Sequence, residues 1–109
     1  MIADFEFTEG ARRPFFAVTI KSVLTNDAVS LTGTTVRFYW AEEKDLETAI
    51  VDGGSVTLTD AGNGECEYRW GATDLPRPGI YRAIFEIEHT DGLKQPVIIE
   101  GVVVHPKIG

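Results

Sequence analysis

Two stretches of this chain alternate without a slip. From Glu65 to Trp70, Cys66, Tyr68 and Trp70 fall on one side of an extended backbone, and Glu65, Glu67 and Arg69 fall on the other. From Ile80 to Glu88, Tyr81, Ala83, Phe85 and Ile87 share a side. A strand sends successive side chains to opposite faces, whereas a helix would scatter these residues around its axis. The chain must therefore build sheet with one buried and one solvated face, which favours antiparallel pairing.

The remaining sequence repeats this pattern in shorter runs. Phe15 to Leu24 places Phe16, Val18 and Ile20 together, and Asn26-Asp27 follows with turn chemistry. Thr34 to Trp40 directs Val36, Phe38 and Trp40 one way and Thr35, Arg37 and Tyr39 the other. Asp4 to Thr8 reads as a short edge run. The segment Ala41 to Ala49 has helix-forming composition but is too short to stand alone, so it predicts a connection with a helical turn, leading into a strand at Ala49 to Asp52. Asp52-Gly53-Gly54-Ser55 predicts a hairpin turn, then a strand at Val56 to Thr59. Asp60 to Gly64 and Asp91-Gly92 predict further turns. The last runs, Val97 to Ile99 and Gly101 to His105, read as one strand with a break near Gly101. Seven to nine short strands and no strong helix predict an all-β antiparallel sandwich.

At 109 residues the chain predicts a single domain, 1–109, large enough to hold a core without disulfides or metal. Cys66 is the sole cysteine, which excludes an intramolecular disulfide and predicts a buried thiol made in a reducing compartment. Ten Lys and Arg stand against 17 Asp and Glu, a net charge of −7. A phosphate backbone or an anionic membrane would be repelled, so neither nucleic acid nor membrane is an expected partner. Met1 to Phe7 lacks the basic-then-apolar order of a secretory signal.

Three features narrow the sandwich to an immunoglobulin-like one. Trp40 sits where such domains bury a Trp on the third strand. Leu75 and Tyr81 flank Pro78-Gly79, in the manner of a tyrosine corner, whose hydroxyl bonds back to the backbone. Ala83 stands where an antibody domain would carry its second Cys.

Four segments, in order, also resemble a narrower family. They are Val29-Ser30-Leu31-Thr32-Gly33-Thr34-Thr35-Val36-Arg37-Phe38, then Asp60 to Tyr68 with its Asp, Gly and Tyr, then Gly79-Ile80-Tyr81-Arg82-Ala83-Ile84-Phe85-Glu86-Ile87, then Asp91-Gly92. Together they resemble the N-terminal domain of phage baseplate upper proteins, a module of tailed-phage tail, baseplate and fibre proteins, over residues 13–105. The resemblance implies a non-enzymatic structural or assembly role in a virion made in the host cytoplasm. The implied partners are other virion proteins, with a homo-oligomer as one form. Family members carry the module at the head of a longer protein, so this chain is expected to act as a small stand-alone component or adaptor.

Candidate chemistry is sparse. His89 and His105 lie at a turn and a strand end, and no Gly-x-Ser-x-Gly elbow accompanies them. Asp52, Asp60, Asn63 and Glu65 crowd two loops without calcium-loop spacing, and turn-forming residues explain them. Phosphate-cradling glycine motifs are missing. No enzymatic activity, metal or cofactor is expected. The stronger signal is apolar side chains on the outward register. Tyr39, Ile80, Ile84 and Val103 lie opposite the core-facing set, beside Arg37 and Arg82, and this Tyr, Arg and aliphatic mixture predicts a protein interface. The alternative is a carbohydrate-binding or adhesion sandwich, with Tyr39, Trp70 or loop aromatics exposed as a sugar platform.

Overall fold

Eight strands and one single-turn 3-10 helix make up the chain in a computed structural model that describes residues 5–107. The strands are β1 (Glu6–Thr8), β2 (Phe16–Thr19), β3 (Thr35–Glu42), β4 (Val51–Ser55), β5 (Thr57–Asp60), β6 (Glu65–Tyr68), β7 (Gly79–Glu88) and β8 (Lys94–His105). They form a five-stranded sheet ordered β1-β8-β7-β3-β4 and a three-stranded sheet ordered β2-β6-β5. The order is that of an immunoglobulin-like sandwich with an added strand beside the third. One pairing departs from the antiparallel expectation: β1 runs parallel to β8, with Phe7 opposite Val104. Residues 1–4, which include Asp4 and most of the N-terminal segment read above, lie outside the described residues.

The alternation becomes burial directly. Tyr81, Ala83, Phe85 and Ile87 of β7 are fully enclosed, as are Phe38 of β3 and Phe16 of β2. Phe16 is the three-stranded sheet's plug. Its ring lies 5.7 Å from Phe38, 5.4 Å from Phe85 and 6.0 Å from Trp40, all on the facing sheet and all edge-on. Such pairs add about 0.5–1.5 kcal/mol each beyond area burial. Trp40 stacks on Tyr81 at 4.6 Å and 7°. The Tyr81 hydroxyl donates to the Arg77 carbonyl at 2.6 Å, which closes the tyrosine corner.

Turn chemistry decides the chain's reversals. Gly33 takes a φ of 77° as the chain turns into β3, and Thr34 donates through its amide and its hydroxyl to the Leu31 carbonyl. Gly64 takes a φ of 72° where an added Cβ would lie 2.6 Å from the Ile20 carbonyl. Asp91-Gly92 closes the β7–β8 hairpin, with the Gly92 amide donating to the His89 carbonyl.

Three expectations need correction. Asp52-Gly53-Gly54-Ser55 is not a turn: it is most of β4, paired to β3, with Tyr39 opposite Asp52 and Phe38 opposite Gly54. Gly53, at a φ of 81°, is the extra residue of a bulge, which the glycine pair permits as readily as a hairpin. The Ala41–Ala49 segment carries no helical turn: Ala41 and buried Glu42 complete β3, Lys44 to Ala49 lie exposed, and among the described residues the one 3-10 turn is at Ala61–Asn63. The first run is strand only over Phe16–Thr19; Lys21 and Ala28 form an isolated bridge, and Leu24 is at the tip of the loop between them.

Gly54 is held glycine by its neighbours. A Cβ there would meet Tyr68 at 2.7 Å and Val51 at 2.8 Å, and Tyr68 cannot yield because it is stacked on Phe38 at 4.1 Å. Gly54→Ala is expected to lower stability in urea by about 1–3 kcal/mol through overpacking. Gly62→Ala, where the added methyl meets nothing within 4 Å, serves as the control and should stay within about 0.5 kcal/mol of the parent.

Candidate functional site: the outer face of the five-stranded sheet

The cross-strand register decides which outward side chains meet. Tyr39 lies opposite Ile84, and Ile84 lies opposite Ile98, so these three make a row across β3, β7 and β8. Arg37 lies opposite Glu86 and Ser55, on one flank of the row. Arg82 lies opposite Ala41 on the other flank, with Nη2 at 3.5 Å from Glu100 and Nε at 3.8 Å from Glu43. The Arg82 Nε is buried without a hydrogen-bond partner. Ile80 and Val103 face each other one row further on, and Val103 lies opposite Glu6 of β1.

The six residues singled out from sequence therefore share one sheet face but not one patch. Tyr39 and Ile84 belong together, Ile80 and Val103 belong together, and the ion pairs of Arg82 separate the two groups. Arg37 is exposed at the edge of the first group. Ile98 completes that group at 53% exposure, and sequence reading missed it. The cause is a bulge: Arg82 on β7 faces both Glu100 and Gly101 on β8, and Gly101 has a φ of 70°. Counting back from Val103 in twos would turn Val97 and Ile99 outward. The bulge reverses that parity, so Ile98 faces out while Val97 and Ile99 pack on the core.

Beside Tyr39 the face is concave. The β3–β4 connection folds over it, and Tyr39, Ala41, Leu46, Ala49, Arg82 and Ile84 line a depression of about 240 Å³. It is smaller than the clefts that enclose drug-sized ligands.

Groups with chemical potential are committed elsewhere. The Asp74 carboxylate, almost buried, accepts from the Tyr68 hydroxyl and the Gly71 amide through Oδ2, each at 2.6 Å, and the Asp74 carbonyl accepts from Trp40 Nε1 at 2.9 Å. Burial, and then the bond to Asp74, hold the Tyr68 phenol far above its ordinary range. Buried Glu42 binds Arg77, with Nε at 2.7 Å and Nη2 at 2.5 Å, and that bond holds its carboxyl below the usual range. Burial pushes the Cys66 thiol up to about 11, so it is not a nucleophile at neutral pH. Both indoles are enclosed; Trp70 Nε1 donates to the Pro14 carbonyl at 3.0 Å, so neither ring is offered for stacking from solvent.

His89 meets Gln95 and His105 meets Glu6, in both cases at the surface. Asn63 donates to Asp60 at 2.8 Å within its turn. Among the described residues, no group of three or more His, Cys, Asp or Glu is placed to hold a metal ion, and no helix is long and apolar enough to cross a membrane. Asp74, Glu42 and Arg77 were not singled out in the sequence, because an Asp in a Gly-rich loop and an Arg between prolines read as ordinary surface residues. Compared with models of protein families, with curated proteins and with solved structures, the chain matches none.

The Glu42–Arg77 pair has a definite pH signature. The native carboxyl titrates below its ordinary value of 4.5, so between the two values the unfolded state binds more protons. The pair's stabilisation is complete above the ordinary value and is lost as pH falls through the native one. Unfolding curves of the parent and of Glu42→Gln should thus differ most at pH 6–7 and converge as the pH drops below about 4. A gap that persists unchanged into acid would mean that the carboxylate charge contributes nothing.

Proposed function

We propose that this protein is a non-enzymatic structural module of a tailed-phage virion, which docks on neighbouring virion proteins through the outer face of its five-stranded sheet. The observation that carries this reading is the outward row Tyr39–Ile84–Ile98, an apolar stripe with Ile98 exposed and Tyr39 and Ile84 half-buried, bordered by Arg37 and Arg82. Arginine and tyrosine around exposed aliphatics is the composition of contact surfaces rather than of general protein surface. The resemblance to the baseplate upper protein module supports the virion setting, and its motifs coincide with architectural features. Leu31-Thr32-Gly33 is the turn into β3, and the Tyr, Ala, Phe and Ile of the third motif are the enclosed face of β7.

The physical role follows from rigidity. Nearly every inward polar group is bonded to another part of the frame, so the sandwich presents a shape that does not depend on a ligand. Docking such a surface costs little conformational entropy, and affinity then depends on how well a partner covers the aliphatic row.

The test is particle content. Antibody raised against the purified protein should label purified phage particles, and Tyr39→Asp and Ile98→Asp should each deplete the protein from particles about tenfold or more while their urea unfolding stays near that of the parent. A protein left wholly in the soluble fraction, with no trace in particles, contradicts the proposal.

A further inference from the structure

The most exposed aliphatic side chains lie away from that face. Val23 is 99% and Leu24 is 92% exposed, on the loop between β2 and β3. They crown a built hairpin. Lys21 and Ala28 form a bridge, and the Ser22 amide donates to the Asp27 carbonyl at 2.9 Å. The Asn26 amide donates to the Ser22 carbonyl at 2.8 Å, and the Leu24 amide donates to the Ser22 hydroxyl at 3.3 Å. Asn26 closes the turn with a left-handed φ of 59°. A tip shaped in advance loses little entropy when it docks. Two neighbouring aliphatics held into water on such a tip form a knob.

The same chain carries a hole. The depression beside Tyr39 has aromatic and aliphatic walls from Tyr39, Leu46, Ala49 and Ile84, and it is sized for aliphatic side chains rather than for a larger ligand. Knob and hole lie toward opposite ends of the molecule. At about 3.3 Å per residue, the twelve residues of β8 extend over roughly 36 Å. Only the longest of the dimensions 45, 25 and 22 Å can hold it, so the strands run along that axis. The hairpin emerges near the start of β3: the Ile20 amide donates to the Gly64 carbonyl and the Val29 amide to the Ile20 carbonyl, each at 2.9 Å, and the Leu31 amide, just ahead of β3, donates to the Ala61 carbonyl at 2.7 Å. The hole is built from the end of β3, the start of β7 and the connection that leaves β3.

We propose that the Val23–Leu24 tip of one copy seats in the Tyr39–Leu46–Ile84 depression of the next, so that the chain associates head to tail with itself. This rests on the reading of the outer sheet face as a contact surface and names a second copy as its occupant. A contact between two different patches is heterologous and propagates into rings or filaments rather than stopping at a pair. The net charge of −7 makes copies repel, so the apolar contact strengthens as salt screens that repulsion.

Sedimentation velocity of the full 109-residue chain tests this, over a range of protein concentrations at low and high salt. The expected result is species beyond the dimer that grow with concentration and with salt. Leu24→Asp, which spoils the knob, and Ala49→Glu, which spoils the hole, should each weaken association by about tenfold or more. Both positions are exposed, so neither change threatens the fold. An equimolar mixture of the two variants retains one good knob and one good hole, and should form dimers and nothing larger. A parent chain that stays monomeric throughout, or stops at a dimer, overturns the proposal, as does a mixture that fails to pair. The particle content of Tyr39→Asp is read separately, so a face that serves another virion protein alone would appear as a monomeric parent with a depleted variant.

Discussion

The structure depends on one buried contact set, the aromatic rings that fill the gap between the two sheets. Phe16 comes from the small sheet, and Phe38, Trp40 and Phe85 come from the large one; Trp70 lies 5.0 Å from Trp40 and 5.0 Å from Phe7. Rings bury large areas with few rotatable bonds, so a small domain without a disulfide can gain its core from them. Their polar edges then organise the loops. Trp40 Nε1 reaches the Asp74 carbonyl, Trp70 Nε1 reaches the Pro14 carbonyl, and the Tyr81 hydroxyl reaches the Arg77 carbonyl. Two loops far apart in sequence, the β1–β2 connection at Pro14 and the β6–β7 connection at Asp74 and Arg77, are thereby tied to one cluster. In each case an indole N–H or phenol O–H that would be costly to bury alone finds a carbonyl that also needs a partner.

This arrangement bears on function through what it leaves free. Asp74, Glu42, Tyr68, Tyr81 and Cys66 have perturbed or buried chemistry, and each is explained by architecture: a loop clamp, an ion pair under Arg77, a donor to the clamp, the tyrosine corner, and a core filler. The surface retains shape and a modest set of apolar residues. Arg37 on one flank of the Tyr39–Ile84–Ile98 row and the Arg82 ion pairs on the other set its width, and the bulge at Gly101 determines which β8 side chains it contains. A backbone irregularity of one residue thus decides the composition of the contact surface.

Most of the fold is legible in the sequence, because strict alternation leaves a strand no choice of face. Cys66, Tyr68 and Trp70 point inward as their spacing requires, and Tyr81 makes the corner that its place after Pro78-Gly79 suggests. What could not be read shares a physical cause, namely that the same local chemistry serves two structures. Gly53-Gly54 suits a hairpin turn and also suits a bulged edge strand, and the choice is made by Phe38 and Tyr68, which are distant in sequence. The Leu24 end of the first run looks like strand until the turn at Asn26 pulls it to a tip. Ile98 could be assigned to the outer face only by knowing on which side of Gly101 the parity changes. The split of the six outward residues into two groups depends on the ion pairs of Arg82 with Glu43 and Glu100, which alternation does not encode.

The most direct measurement is hydrogen exchange at the two indole nitrogens, followed by NMR. In the arrangement described here, Trp40 Nε1 and Trp70 Nε1 are enclosed and bonded to carbonyls of separate loops, so neither proton can exchange without opening the space between the sheets. Both should exchange at the rate of global unfolding, slow with a common dependence on denaturant. Exchange of either indole within the time of a first spectrum, with no denaturant dependence, would contradict a sandwich closed by its aromatic core.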